Sequence, residues 1–174
     1  MAYPGEEVII DGEGVDWNYG FGLFGNVSYM RIEGIKIRNF GGYGLTLWGN
    51  NRHIEIVNVE VYNCETGLRM TDPYIPGGVV ENIIINGCRF HHNSMGVDCS
   101  PGPGINVMIV NTNSSYNGRE ASETWADGSA FESGQNIYVE KCVASFNCGD
   151  GFDFKSDTIV LNRCLCHDNA RDGI

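Results

Sequence analysis

The sequence predicts an all-β chain of 174 residues wound as a parallel β-helix, one domain over residues 1–174. Three observations carry this. Glycine-led phrases recur: Gly22-Leu23-Phe24, then "GLTL" (44–47), "GLRM" (67–70), "GVDC" (96–99), "GSAF" (128–131), "GFDF" (151–154) and "GI" (173–174), at steps of 22, 23, 29, 32, 23 and 22. Upstream of most of these glycines runs a second phrase that ends in asparagine. Within these phrases apolar and polar residues alternate with period two, as in Ile54, Ile56 and Ile83, Ile85, which marks a strand with one buried face.

Taken in order, the second phrases are "MRIEGIKIRN", "IEIVNVEVYN", "IIINGCRFHHN", "MIVNTNSSYN", "IYVEKCVASFN" and "IVLNRCLCHDN". The repeat of about 22 residues, with longer exceptions, fits one turn of a parallel β-helix with two or three short strands per coil, about seven coils in all, the last incomplete. No window holds a helical period for three turns. An antiparallel sandwich would show hairpin dipeptides and no fixed repeat. Asn39, Asn63, Asn93, Asn117, Asn147 and Asn169 are expected to stack at one corner, where amides hydrogen-bond from coil to coil. The glycines are expected at bends that need a positive φ. Cys88, Cys142 and Cys164 share a repeat position and read as small apolar core residues.

Charge and composition exclude several function classes. Eleven basic against twenty-two acidic residues leave a net charge of −11, which argues against nucleic acid as a partner. The longest apolar runs, such as "VVENIII", fall far short of a membrane span. Seven cysteines form no zinc-like spacing. Any polyanionic partner would need a bridging cation.

The residue before each repeat glycine forms a column: Tyr43, Thr66, Met95, Asp127, Asp150, Asp172. Carboxylates from neighbouring coils, about 4.8 Å apart, can face each other across a gap that one Ca²⁺ bridges. Asp153 adds a carboxylate, expected to point outward beside Lys155. The alternative reading is that Asp-Gly is a favoured turn dipeptide and these are solvated turns.

Over residues 8–174 the repeat resembles the right-handed parallel β-helix proteins. "WADGSAF" followed by "NCGDGFDFK" is similar to the calcium-site region of the pectate lyases of polysaccharide lyase family nine. That resemblance implies Ca²⁺ ligands at Asp127, Asp150 and Asp153, an acidic polysaccharide such as pectate as substrate, and β-elimination as the reaction. Gly149 stands where the family has a further aspartate. The family's catalytic base, a lysine, falls beyond Ile174, so the chain is expected to be a secreted or cell-surface fragment, although it opens with no signal peptide.

Among the residues present, Lys155 and Arg171 are the candidate bases, with ion pairing to the aspartates as the competing role. Tyr74, Trp125 and Lys155 are candidate substrate-binding residues, since aromatic rings stack on sugars and the longer steps carry loops: "TDPYIPGG" (71–78), "SPGPG" (100–104) and "GREASETWADG" (118–128). His91 and His92 are expected to face two directions. Alternatives are a non-catalytic carbohydrate-binding or scaffold module and a polygalacturonase-like hydrolase, whose Asn-Thr-Asp and Gly-His-Gly motifs the sequence lacks. An uncapped last coil predicts end-to-end self-association.

Overall fold

A computed structural model gives the structure, and it describes residues 5–14, 19–71, 78–118 and 125–174. Strands β1 (Val8–Asp11) and β2 (Phe21–Gly25) lead into successive coils of three. These are β3 (Ser28–Glu33), β4 (Ile35–Arg38) and β5 (Tyr43–Gly49), then β6 (Asn51–Val57), β7 (Glu60–Tyr62) and β8 (Thr66–Met70). They continue with β9 (Val80–Asn86), β10 (Arg89–His91) and β11 (Met95–Cys99), then β12 (Gly104–Val110), β13 (Asn113–Ser115) and β14 (Ser129–Phe131). The series closes with β15 (Gly134–Glu140), β16 (Val143–Ser145), β17 (Phe152–Phe154), β18 (Asp157–Asn162) and β19 (Leu165–His167). Among the described residues there is no helix.

Every pairing is parallel, and the strands stack into three sheets. The first has seven strands, β1-β4-β7-β10-β13-β16-β19; the second runs β2-β5-β8-β11-β14-β17 and the third β3-β6-β9-β12-β15-β18. Side chains of one period-two set point inward and form columns along the axis. Ile54, Ile83, Val107, Ile137 and Ile159 stand in register in the third sheet, and Ile54, Ile83, Val107 and Ile137 are at most 1% exposed. Each fully buried Ile or Leu contributes roughly 1.5–3 kcal/mol, so the columns, repeated coil after coil, hold the solenoid together.

The repeat glycines obey a different rule from the one expected. Gly67 and Gly128 carry no positive φ. A Cβ on Gly67 would sit 2.6 Å from the carbonyl oxygen of Gly96, and one on Gly128 2.6 Å from that of Gly151. The coils pack too closely there for any side chain. The left-handed turns are made largely by other residues, with Asn39, Asn58, Asn63, Asn82, Asn106, Asn111 and Asn136 all at φ between 50° and 62°, a region asparagine tolerates.

The expected single asparagine corner divides into two columns. Register places Tyr62 beside His91 and His91 beside Ser115, so Asn39 and Asn63 align with His92, Tyr116, Phe146 and Asp168 on the exposed left-handed turn. Asn93, Asn117, Asn147 and Asn169 stand one residue further on and line the interior. Asn117 Nδ2 donates to Asn147 Oδ1 at 2.9 Å and Asn147 Nδ2 to Asn169 Oδ1 at 2.9 Å. The backbone N–H of Cys64 donates to Asn93 Oδ1 at 2.9 Å. On the outer column the rings stack instead, Tyr116 on Phe146 at 4.8 Å between centroids and 7° between planes.

All seven cysteines are free thiols. Cys88 and Cys142 are buried as expected, with Thr112 between them, and burial pushes both thiols up to about 11. Cys164 belongs to the same column and is half-buried.

Candidate carboxylate site

The carboxylate column forms at the turn entering the second sheet, where the chain leaves the amide corner. Asp127 is buried at 4% exposure. Its Oδ1 accepts the backbone N–H of Asp150 at 2.7 Å, and Asp150 Oδ1 accepts the N–H of Asp172 at 2.9 Å. Each carboxylate therefore caps the backbone of the coil above. Backbone bonds confirm the register, Gly128 N–H to Asp150 O and Gly151 N–H to Asp172 O, both 3.0 Å.

Burial is the main reason the Asp127 carboxyl is pushed up to about 6. The charges of Asp150 and Asp153 push the same way, while the Asp150 amide and Arg171 oppose them. Asp150 and Asp153 thus add like-charge repulsion to the burial of Asp127.

Asp153 pairs in register with Ala130 in β14 and projects from the outer face of the second sheet, between buried Phe152 and half-buried Phe154. Lys155 Nζ bridges Asp153 Oδ2 and Glu132 Oε1, each at 2.9 Å. Hydrogen bonds to Glu132 and then Asp153 raise the Lys155 pKa, the opposite of what a general base requires. Arg171 is exposed, and its N–H donates to Gly149 O at 3.2 Å, which places it over Gly149 in the column as expected. A Cβ on Gly149 would collide with Asp127 Oδ1; the space a further aspartate would enter is already taken by the Asp127 carboxylate.

One oxygen of each carboxylate is engaged, two by backbone amides and one by Lys155, and among the described residues no group of three Asp, Glu, His or Cys side chains is placed to hold a metal ion.

The other candidates fall elsewhere. Trp125 is 74% exposed, two residues before Asp127. Tyr74 lies outside the described residues. His91 and His92 do not diverge: His92 takes φ 56°, and the two Nδ1 atoms meet at 2.8 Å while His91 Nε2 lies 3.1 Å from Glu60 Oε1. The left-handed turn, invisible to a period-two reading, folds one ring back on the other. A groove of about 600 Å³ opens on the third sheet between Tyr29, His53, Ile84 and Met108, and none of the aspartates lines it.

Sequence reasoning missed the second charged feature of this sheet face. Arg69 and Asp98 stand next to each other in register, one coil apart, with side chains only 13% and 6% exposed, and form an ion pair through Nη1 and Oδ2. Asp98 lies two register steps from Asp153 along the same outward column. Both hold the third place of a glycine phrase, "GLRM" and "GVDC", so the repeat aligns them, and the coil-to-coil pairing shows that they meet.

Three stacked parallel sheets, inward apolar columns and an internal amide ladder define a right-handed β-helix. Residues 1–118 match the family described as the right-handed beta helix region, and the chain belongs to that family. It is similar to pectate lyase L of Paenibacillus polymyxa (strain SC2), 25% identical over 182 aligned positions that take in 98% of this chain and 35% of that protein. The chain therefore spans about a third of that relative's length. A solved structure of trypsin-treated QnrB1, a plasmid-mediated fluoroquinolone resistance protein, aligns over 89% of this chain and 79% of that one at 13% identity and a TM-score of 0.30, too low to bear on function.

Proposed function

We propose that this chain is the β-helix segment of a polysaccharide-active protein, a calcium-dependent pectate lyase in its whole form, acting by β-elimination on an acidic polysaccharide such as pectate outside the cell. The observation that carries this reading is the gathering of Asp127, Asp150 and Asp153 at the entry to the second sheet, with Asp127 raised to about 6, chiefly by burial and further by the charges of the other two. Such an arrangement is unfavourable alone and is relieved by a divalent cation. The likeness to pectate lyase L supports it. Calcium, when bound, would neutralise a uronate carboxylate that a chain of net charge −11 otherwise repels.

The chain's own residues contribute as follows. Asp153 must turn from Lys155 to share a cation with the column. Lys155 and Arg171 then serve as cationic contacts to the substrate carboxylates, since Lys155 is held in its charged form. Trp125 offers a ring to a sugar face. Lys155, held in its charged form by Glu132 and Asp153, is poorly suited as a base, so the chain alone is expected not to cleave.

The test is a calcium titration of the thermal melt alongside an assay for the unsaturated product. At about 100-fold excess over Kd, calcium should add roughly 2.7 kcal/mol, and Asp150→Ala should abolish that gain. An unchanged wild-type melt would return the aspartates to solvated turns. A non-catalytic carbohydrate-binding module is the second reading, favoured by the raised Lys155; it keeps oligogalacturonate binding but yields no product even in a chain extended to the relative's length.

A further inference from the structure

The outer face of the second sheet carries a polar feature that neither the carboxylate column nor the core explains. On β5, Leu45 and Leu47 point inward at 0% exposure, so Thr46 and Trp48 point outward. An outward threonine ordinarily meets water. Thr46 is instead 0% exposed, and among the described residues neither its Oγ1 nor the buried Nε1 of Trp48 has a hydrogen-bond partner. A buried polar atom without a hydrogen-bond partner is destabilising, because it has lost water and gained nothing in return. Valine and phenylalanine would fill the same space without that cost.

Thr46 lies beside the Arg69–Asp98 pair, and Trp48 follows it two residues on along the same strand. Arg69 stands next to Thr46 in register, and Asp98 next to Arg69. Ser100 Oγ donates to Asp98 Oδ1 at 2.8 Å, Arg69 Nη2 donates to Ser100 O at 2.8 Å, and the guanidinium lies 5.7 Å from the centre of the Tyr43 ring. Rings close the cluster: Trp48 meets Tyr19 at 4.9 Å, Phe24 at 5.5 Å and Tyr43 at 5.8 Å, all edge-on. A buried ion pair adds little net stability. Unmet hydrogen-bonding atoms, a neutralised charge pair and aromatic rings, all on an outward face, together describe a site awaiting a hydroxylated ligand.

We propose that Thr46, Trp48, Arg69 and Asp98 form a subsite for an uncharged sugar residue, on the same sheet face as the carboxylate column. The proposal rests on the polysaccharide reading and adds to it that the acidic chain carries neutral sugars close to its uronates. A sugar hydroxyl both donates and accepts, so it can accept from Trp48 Nε1, a donor only, and exchange a bond with Thr46 Oγ1. Its C–H face packs on the rings. A uronate gains nothing here, because Arg69 is already neutralised by Asp98. Asp98 lies two strand spacings and Thr46 four from Asp153, about 10–19 Å, or two to four sugar residues along an extended chain. Phe24, 53% exposed, is the rim ring that must swing aside to admit the sugar.

The experiment is calorimetric titration of wild type, Thr46→Val and Trp48→Phe with two probes, homo-oligogalacturonate with calcium and an oligosaccharide alternating galacturonate with a neutral sugar. The wild type should prefer the alternating probe. Each substitution should weaken that probe by about 3- to 10-fold, one hydrogen bond's worth, leave homo-oligogalacturonate unchanged, and keep or raise the melting temperature. That combination separates a ligand-directed hydroxyl from a merely structural one. Equal affinity of both variants and wild type for the alternating probe overturns the subsite. Binding of homo-oligogalacturonate alone overturns it while leaving the polysaccharide reading in place. Binding of neither probe sinks both.

Discussion

Two columns of stacked polar side chains run along this solenoid only three residues apart in sequence, Asn147 beside Asp150 and Asn169 beside Asp172, and they behave in opposite ways. An amide both donates and accepts, so Asn93, Asn117, Asn147 and Asn169 satisfy one another and the turn backbone in a closed ladder. A carboxylate only accepts. Asp127 and Asp150 take backbone N–H groups from the coil above and still repel each other, which is why burial and neighbouring charge raise Asp127 together. The same geometry thus yields a hydrogen-bonded ladder with one side chain and like-charge repulsion with the other.

The largest way to break the comparison is Asn117→Ala. This side chain serves Asn93, Asn147, Phe90 O and Ser114 in the interior, and its removal orphans several buried groups at about 1–3 kcal/mol each. We expect a loss of about 3 kcal/mol or more, read from the midpoint and slope of urea unfolding. An unchanged midpoint would mean the ladder is ornamental.

Asp127→Asn sharpens the contrast by converting one column toward the other. The folded value of about 6 lies above the ordinary 3.8, so ionisation opposes folding. That cost is absent below about pH 4, grows between pH 4 and 6, and persists above. The variant should therefore melt higher than wild type at pH 8 and alike at pH 4. A higher melt at both would point to packing rather than charge.

Lys155→Met is the smallest expected effect on stability. Its ion pairs are largely solvent-facing, where such pairs contribute about 0–1 kcal/mol. Calcium affinity, in contrast, should rise a few-fold, because the cation that occupies Asp153 is gone. Weaker calcium binding in this variant would place Lys155 as a support for the site and not a competitor.

The carboxylate column was legible in advance because its members precede glycines that recur at nearly constant steps. The asparagines misled for a related reason. Asn39 and Asn63 end their phrases as Asn93 does, yet one residue decides whether such a side chain sits on the exposed left-handed turn or inside, and His92, Tyr116 and Phe146 occupy that turn with no shared chemistry. Arg69 and Asp98 hold the same place in "GLRM" and "GVDC", so their alignment lay in the repeat, but nothing in the repeat shows that the pair is buried.

The sequence by itself determined the all-β class, the coil period, the inward apolar columns and the alignment of Asp127, Asp150 and Asp172, because each follows from a repeat read along the chain. Only the tertiary structure decided which asparagines face the core, why the repeat glycines have no side chain, that Asp127 is buried and raised, and that the Thr46 hydroxyl and the Arg69–Asp98 pair are buried on an outward face. Those are relations between coils, set by register across loops of unequal length and by left-handed turns at single residues, and a periodicity within one strand carries no information about either.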